Sequence, residues 1–351
     1  MKNNISALDA KYEAQKIAFA PVVFQVAKVL RDKGVLSYLR KQKNKGANIA
    51  TLSEDLGISE YGLRVLLEMA LSAEIVECKE EEIYLLSKIG YFLEADKLTK
   101  VNMDFINDVC YKGLFHLGEA IDKGTPAGLK ELGEWPTIYE GLSELEDHVR
   151  ESWFGFDHYY SDDSFPEALP IIFKHKPKTL LDVGGNTGKF SIKCCDYNTD
   201  VAVTIVDLPG QINLATRNIE MHELSSRISY FPLNMLRPDK PFPAADAIWM
   251  SQFLDCFSET EIISILKHAV ASMKADSKLF IMETFWDNQN YPAATFSLAA
   301  TSVYFTAMAN GNSKMYGKNR FINLIEKSGL QVVEETFPIG VSHTILTCKL
   351  G

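Results

Sequence analysis

The chain has 351 residues, of which 46% are hydrophobic and 23% are charged, and its formal net charge is −10. This length gives room for two domains with a substantial core, and the composition is typical of a soluble globular protein. Because nucleic-acid phosphates require a positive face, the acidic balance argues against a nucleic-acid partner. No apolar run approaches the roughly 20 residues of a membrane span, so we expect no membrane partner.

The six cysteines lack the spacing of metal ligands, and Cys194 and Cys195 fall together in a predicted helix. Free thiols in a reducing compartment are therefore expected. The opening residues Met1–Asn4 lead into a charged helix rather than a signal peptide. We predict a cytoplasmic protein without a metal site.

Residues from about 8 to 100 have the pattern of a winged helix. Apolar positions at helical spacing come first. A helix over 48–56, a turn at Gly57 and a second helix capped by Ser59 follow. Segments 75–78 and 82–86 are expected to pair as the wing. This pattern alone suggests a transcription factor, but the acidic residues at 80–82 would repel phosphate at the wing tip.

From residue 178 onward, strand and helix patterns alternate. This alternation predicts a doubly wound α/β domain whose mostly parallel sheet binds ligands at the carboxyl ends of its strands. The predicted strands are 179–183, 201–207, 228–231, 246–251, 278–283 and 343–348. The polar residues that fall at strand ends are Asp182, Asp207, Asn234, Ser251 and Glu283.

A glycine-rich turn follows the first of these strands, at Gly184-Gly185-Asn186-Thr187-Gly188. Small residues let a ligand approach the backbone, and the helix that follows offers free N–H groups, so we predict a nucleotide-like cofactor. Neither the dinucleotide fingerprint nor the phosphate-binding P-loop has this spacing. The carboxylates Asp182 and Asp207 suit ribose hydroxyls and a cation better than a pyrophosphate.

The sequence from Asp182 to Gly188, followed by Val206-Asp207-Leu208-Pro209, resembles the S-adenosylmethionine (SAM) site of class I methyltransferases. Asp-Leu-Pro is typical of the small-molecule O-methyltransferases, which include plant caffeic acid and bacterial polyketide enzymes. In this family the middle glycine stands where this chain has Asn186. Asparagine tolerates a left-handed backbone better than most residues, so the site is expected to keep its shape.

This resemblance implies three regions: a winged-helix dimerisation domain over 1–100, a helical linker lining the acceptor pocket over 101–170, and a Rossmann-like SAM-binding catalytic domain over 171–351. It also implies a homodimer, with no DNA-binding role for the winged helix. The helix before the first strand lines the site in the family. His158 and Tyr159, within the aromatic segment 156–162, are therefore site candidates, with a structural role as the alternative.

Individual cofactor contacts follow from the same resemblance. Asp207 is expected to accept hydrogen bonds from the ribose hydroxyls, with a helix N-cap role as the alternative. Gly184 and Gly185 would let the methionine portion approach, and Asn234 would accept a hydrogen bond from the adenine amine. The predicted cofactor-binding residues are Asp182, Gly184, Gly185, Asp207, Leu208, Asn234, Met235 (packing on the adenine ring) and Ser251.

The segment 253–259 departs from the family at its chemical centre. Methyl transfer to a phenol benefits from a base, which in the family is the histidine of a Leu-His-Asp-Trp-Ser-Asp motif. Here Asp255 stands at the histidine position and Cys256 at the following aspartate. Asp255, with a pKa raised by burial, and His158 are the two candidate bases. An acidic acceptor that needs no base, and a loss of catalysis, are also open.

Glu283, which ends a predicted strand, matches a glutamate that borders the active site in the family. We expect it to orient the base or the acceptor, with capping of the next segment as the alternative. Aromatic and methionine residues over 291–315 suit a flat aromatic acceptor, although such spacing is also typical of a core.

The sequence therefore predicts a SAM-dependent methyltransferase that acts on a hydroxyl oxygen of a small aromatic metabolite. The main alternative is a non-catalytic SAM- or ligand-binding regulator built on the same fold. A dehydrogenase is less favoured because the glycine spacing is wrong for a dinucleotide.

Overall fold

The computed structural model describes residues 5–351, and the prediction about Met1–Asn4 lies outside the described residues. The chain divides into two compact units at the boundary between Asp104 and Phe105. Within the described residues, no helix has the length and apolar character that crossing a membrane requires.

The first unit contains the predicted winged helix. Its elements are α1 (Ala7–Ala18), α2 (Ala20–Asp32), α3 (Val35–Gln42), α4 (Ile49–Leu56), α5 (Glu60–Ser72), β1 (Val76–Lys79), β2 (Ile83–Leu86), α6 (Lys88–Ala95) and α7 (Lys97–Phe105), the last of which ends at the boundary. Asn48 and Ser59 cap α4 and α5, because each side chain accepts the backbone N–H three residues on. Gly57 closes α4 in the left-handed region, with a φ of 66°. The strands β1 and β2 pair as the antiparallel wing.

The second unit is the α/β domain together with its helical cover. Its elements are α8 (Leu117–Lys123), α9 (Ile138–Gly141), α10 (Asp147–Ser161), α11 (Phe165–Phe173), β3 (Thr179–Val183), α12 (Lys189–Tyr197), β4 (Ala202–Asp207), α13 (Pro209–Met221), β5 (Ile228–Pro232), β6 (Ala245–Ser251), α14 (Glu259–Val270), β7 (Met273–Glu283), α15 (Pro292–Tyr304), α16 (Lys318–Lys327), β8 (Leu330–Ile339) and β9 (His343–Leu350). All six predicted strands are present, with β7 beginning five residues earlier than predicted.

These strands form one seven-stranded sheet in the order β5-β4-β3-β6-β7-β9-β8. The first five strands of that order are parallel, and β9 joins β7 antiparallel. The chain reverses direction across the sheet at β3, whose neighbours are β4 and β6. Ligands of doubly wound sheets bind at this kind of switch point, beyond the carboxyl ends of the strands.

The edge strand β8 was not predicted from the sequence. Its residues alternate between half-buried and exposed, and Glu334 and Glu335 stand in its middle. Such a polar edge strand carries little of the hydrophobic signal that marks central strands. By contrast, β3 is buried on both faces after Thr179, because helices cover both sides of the sheet.

The helical cover has a hydrophobic cluster of its own. Phe105, Trp153, Tyr304, Phe305 and Met308 lie in one hydrophobic cluster that joins the segment 105–153 to α15 and the turn after it. Burying each large side chain contributes about 1.5–3 kcal/mol. This cluster fixes α10 and α15 beside the carboxyl ends of the strands, where a cavity lies.

Candidate active site

The cavity has a volume of about 290 Å³ and two chemically different ends. We call the part after β3 and β4 the strand end, lined by Asp182, Gly184, Gly185, Asp207 and Asn234. The part under the helical cover is the helical end, lined by Tyr139, Trp153, Asp255, Cys256 and Tyr304. All eight predicted cofactor residues line this one cavity: Asp182, Gly184, Gly185, Asp207, Leu208, Asn234, Met235 and Ser251.

The glycine-rich turn owes its shape to left-handed backbone. Gly184 has a φ of 74°, and a Cβ at this position would overlap the ring of Phe253. A Cβ on Gly185 would stand 3.0 Å from the Asp182 carboxylate. Asn186 has a φ of 50°, as expected for an asparagine at a glycine position. Only glycine, or a residue that tolerates a left-handed backbone, leaves the backbone open to a ligand here.

Two carboxylates flank this turn, the buried Asp182 and the half-buried Asp207. Asp182 accepts a hydrogen bond from the Ser191 hydroxyl at 2.6 Å, and Asp207 accepts the backbone N–H groups of Asn186 at 2.8 Å and Leu208 at 2.7 Å. Burial raises the pKa of Asp182 to about 7 and that of Asp207 to about 6. A ligand bringing hydroxyl donors or positive charge would favour the ionised forms. Leu208, not Asp207, is the N-cap residue of α13, so the N-cap alternative for Asp207 is wrong.

The next strand ends supply the remaining predicted contacts. The Asn234 side-chain oxygen accepts the backbone N–H of Leu236 at 2.9 Å, which fixes the turn after β5. Met235 is 8% exposed and lines the cavity beside it. The hydroxyl of Ser251, at the end of β6, is buried without a hydrogen-bond partner among the described residues. These side chains present polar atoms and an apolar surface to one ligand.

His158, on α10, lines the cavity, whereas its neighbour Tyr159 does not. Its Nε2 atom is buried and has no hydrogen-bond partner among the residues described here. Burial, followed by the charge of Lys189, lowers the pKa of His158 below its usual value. The imidazole is therefore neutral at pH 7 and able to accept a proton.

Asp255 lies on a short turn after β6 and is 4% exposed. The thiol of Cys256 donates to its Oδ1 at 3.6 Å. Burial raises the pKa of Asp255 to about 6. Such a carboxylate is a stronger base than an exposed one, so the first candidate base has the expected environment.

Glu283 is the predicted site residue that lies outside the cavity lining. It is 1% exposed, and its Oε1 accepts the backbone N–H groups of Phe253 at 3.1 Å and Leu254 at 2.9 Å. Its Oε2 is buried with no partner among the described residues. Glu283 thus holds the backbone that leads into Asp255, and its predicted role in orienting the base or the acceptor stays a prediction.

The sequence reading missed Asp157, which precedes His158 and lines the same cavity. Its Oδ2 accepts a hydrogen bond from the Asn186 side chain at 3.2 Å, and nearby Lys189 pairs with Asp162 at 2.7 Å. Burial, then the charges of Asp255 and Asp162, raise the pKa of Asp157 to about 7. The sequence indicated that segment 156–162 belongs to the site, but no local pattern showed which of its side chains face the cavity.

The helical end forms an aromatic slot. The indole N–H of Trp153 donates to the Tyr304 hydroxyl at 2.8 Å, which fixes two walls across 151 positions of sequence. The Tyr139 hydroxyl is buried there without a partner among the described residues. Within the predicted acceptor segment 291–315, Tyr304, Phe305 and Met315 line the slot, while Phe296 and Met308 do not. An apolar slot with a few polar atoms suits a flat small molecule.

No cluster of three or more metal-ligating side chains occurs among residues 5–351. The sheet order, the left-handed turn after β3 and the carboxylate that ends β4 together define a Rossmann-like domain of the class I methyltransferase type.

Two family models match the chain. Residues 11–83 match the Dimerisation2-like domain, and residues 172–331 match the O-methyltransferase domain. Residues 172–331 are therefore an O-methyltransferase domain, and the two matches together cover about two thirds of the chain.

Among curated relatives, O-methyltransferase pgmB of Aspergillus terreus is 27% identical over 178 residues, which are 49% of this chain and 40% of the relative. The Des-methyl DIF-1 methyltransferase A of Dictyostelium discoideum is 23% identical over 295 residues, covering 74% of this chain and 78% of the relative. The chain spans about half the length, or less, of the first curated relatives that it matches.

A similar solved structure is NcsB1, an O-methyltransferase from neocarzinostatin biosynthesis, in complex with SAM and 2-hydroxy-5-methyl naphthoic acid. Its TM-score is 0.68 at 17% identity, over 93% of this chain and 96% of that one. This likeness establishes the shared fold.

Proposed function

We propose that this protein transfers a methyl group from SAM to a hydroxyl oxygen of a small aromatic metabolite. The observation that carries the proposal is the single cavity that joins two kinds of surface. Its strand end carries the carboxylates Asp182 and Asp207 beside a left-handed glycine turn, and its helical end is an aromatic slot. The family match supports the same activity.

SAM fits the strand end better than a nucleotide phosphate does. Asp207 is placed to accept the ribose hydroxyls, and the carboxylates would repel a pyrophosphate. Asn186 and Gln211 also direct buried oxygen atoms without donors at this cavity, and such acceptors suit the amines of SAM. NcsB1, which shares the fold, is a SAM-bound protein.

Bound SAM would supply an electrophilic methyl group on a positively charged sulfur. The chain's own contribution is to hold the acceptor hydroxyl in line with that methyl group, and this orientation accounts for much of the rate. The hydrogen bond between Trp153 and Tyr304 holds both side chains in place, so the surface that they offer to an aromatic ring is rigid. A proton leaves the hydroxyl as its oxygen attacks, and Asp255 or neutral His158 accepts it.

We propose a homodimer as the working assembly. Helix α1 contains no buried residue, and Leu8 and Ile17 are 81% and 77% exposed in a single chain. Exposed apolar side chains of this size on one helix are typical of a surface that meets a partner. The Dimerisation2-like match over residues 11–83 supports a second copy as that partner. A cytoplasmic location stays a prediction.

The experiment is calorimetry with SAM, S-adenosylhomocysteine and NAD, followed by a turnover screen against phenols and catechols. We expect SAM and its demethylated product to bind, NAD not to bind, and methyl transfer to at least one phenol. NAD binding without SAM binding would overturn the cofactor assignment. SAM binding without turnover on any acceptor would favour the regulator, which no described feature favours now.

A further inference from the structure

The cavity carries a large excess of negative charge. Seven carboxylate side chains line it, while Lys189 is its one lysine and no arginine lines it among the described residues. Lys189 is already paired with Asp162 at 2.7 Å. The remaining carboxylates therefore have no cationic side chain to offset them within the lining.

Some buried acceptor atoms of lining residues also lack a donor among the described residues. The buried lining atoms that lack a partner include two pure acceptors, the side-chain oxygens of Asn186 and Gln211. Gln211 is only 9% exposed, and its side-chain oxygen has no donor among the described residues. Because seven carboxyl groups and one lysine line the cavity, a ligand that brings positive charge and N–H groups fits it better than an anion.

SAM supplies positive charge at the strand end alone. Its sulfonium and ammonium groups, less its own carboxylate, add a net charge of one, next to Asp182 and Asp207. At the helical end, Asp255 is 4% exposed, and its carboxylate accepts the weak thiol donor of Cys256 and backbone N–H groups at Asp255 and Cys256, but no cationic side chain. None of the ion pairs among the described residues includes Asp255. Asp157, 25% exposed, adds a second carboxylate nearby.

We propose, building on the proposed function, that the acceptor is a hydroxylated aromatic amine whose ammonium group is held by Asp255. The hydroxyl and the ammonium then enter the slot together, the ring lies against Trp153 and Tyr304, and His158 is left as the base. An acceptor bearing a carboxylate, such as the naphthoic acid bound to NcsB1, is disfavoured because it would face Asp255 and Asp157 without a cation. This selectivity follows from the departure at Asp255, where the family has histidine.

The test uses three phenols of nearly equal size that differ in one group. These are 4-(2-aminoethyl)phenol, 4-(2-hydroxyethyl)phenol and 4-hydroxyphenylacetate, which present an ammonium, an alcohol and a carboxylate. Binding is measured by calorimetry on protein saturated with S-adenosylhomocysteine at pH 8, where Asp255 is ionised. We expect the ammonium to bind at least about tenfold more tightly than the carboxylate, with the alcohol between them.

Variants assign the preference to the residue. Asp255→Asn should remove most of the preference for the ammonium while changing the affinity of the alcohol by less than about threefold. Asp276→Asn, an exposed carboxylate near the start of β7, is the matched control and should retain the preference. Unchanged affinity for S-adenosylhomocysteine in each variant shows that the fold is intact. If Asp255→Asn does not fold, Asp157→Asn should reduce the preference in part.

Equal affinities, a reversed order, or no binding by any of the three phenols would overturn the proposed acceptor class. A preference that survives both Asp255→Asn and Asp157→Asn would overturn the assignment to these carboxylates. Failure of the proposed function looks different, because S-adenosylhomocysteine itself would then not bind the unmodified protein.

Discussion

The two ends of the cavity are built in different ways. At the strand end, the ligand-facing groups follow directly from strands β3 and β4, and backbone conformation at Gly184 and Asn186 sets their geometry. At the helical end, the walls come from distant segments, such as Trp153 and Tyr304. A short sequence motif can therefore encode the cofactor site, whereas the acceptor site depends on how the helical cover packs.

The largest expected effect lies at the helical end, on the chemical step. Asp255→Asn and His158→Gln each remove one candidate base, and loss of the true base should lower kcat by about 10²–10⁴-fold. SAM affinity should stay unchanged, because neither residue belongs to the strand end. End-point assays of methyl transfer measure the effect on kcat, and calorimetry with SAM measures the effect on affinity.

Asp276→Asn is the matched control for these base variants and should turn over as the unmodified protein does. Losses below about tenfold in both base variants would show that the acceptor needs no base. A loss confined to one variant identifies the base and leaves the other residue a binding role.

The next effect, at the strand end, is on cofactor affinity. Asp207→Ala removes the acceptor proposed for the ribose hydroxyls and also releases the backbone N–H groups of Asn186 and Leu208. We expect SAM to bind more weakly, by hundreds-fold at most. Losing two hydrogen bonds to a charged group would weaken binding roughly 100-fold. An unchanged dissociation constant in calorimetry would remove Asp207 from the cofactor site.

This contrast between the two ends also explains what the sequence could predict. The doubly wound domain was predicted correctly, because buried parallel strands such as β3 are continuous apolar runs. Four of the five polar residues at strand ends, all but Glu283, then meet in one cavity because the topology brings those strand ends together. The edge strand β8 was missed because its pattern is half polar.

The helical end was predicted less completely. Asp157 and Tyr139 line the cavity, yet neither was a candidate, since the inward face of a helix is fixed by tertiary packing. Glu283 was predicted to orient the base or the acceptor, and the structure places it against the backbone N–H groups of Phe253 and Leu254. No pattern in one sequence distinguishes a residue that touches a ligand from one that supports its neighbour.

A smaller effect concerns the contact that joins the two ends. Asn186→Gly keeps a residue suited to the left-handed backbone but removes the hydrogen bond to Asp157. We expect the acceptor KM to rise about two- to tenfold while SAM affinity changes little. Asn186→Asp should raise KM further, because a second carboxylate would face Asp157. If both variants weakened SAM binding as much as they raised the acceptor KM, the role of Asn186 in joining the two ends would be contradicted.

The smallest expected effect is on the stability of the ligand-free protein between pH 6.5 and 8. Burial raises the pKa of Asp157 and Asp182 to about 7, above the value near 4 of an unfolded aspartate. The folded state thus binds more protons, and the stability from these groups is lost as pH rises through 7. His343, whose pKa burial lowers to about 4, acts in the opposite direction only as pH falls below about 6.5.

The melting temperature of the ligand-free protein should therefore fall by a few degrees from pH 6.5 to 8, and Asp182→Asn should flatten this dependence. Saturating SAM should raise the melting temperature more at pH 8 than at pH 6.5, because a cationic ligand favours the ionised carboxylates. A ligand-induced increase that is equal at both pH values would mean that SAM leaves these carboxylates' protonation unchanged. Asp276→Asn should behave as the unmodified protein, since an exposed carboxylate has no burial to relieve.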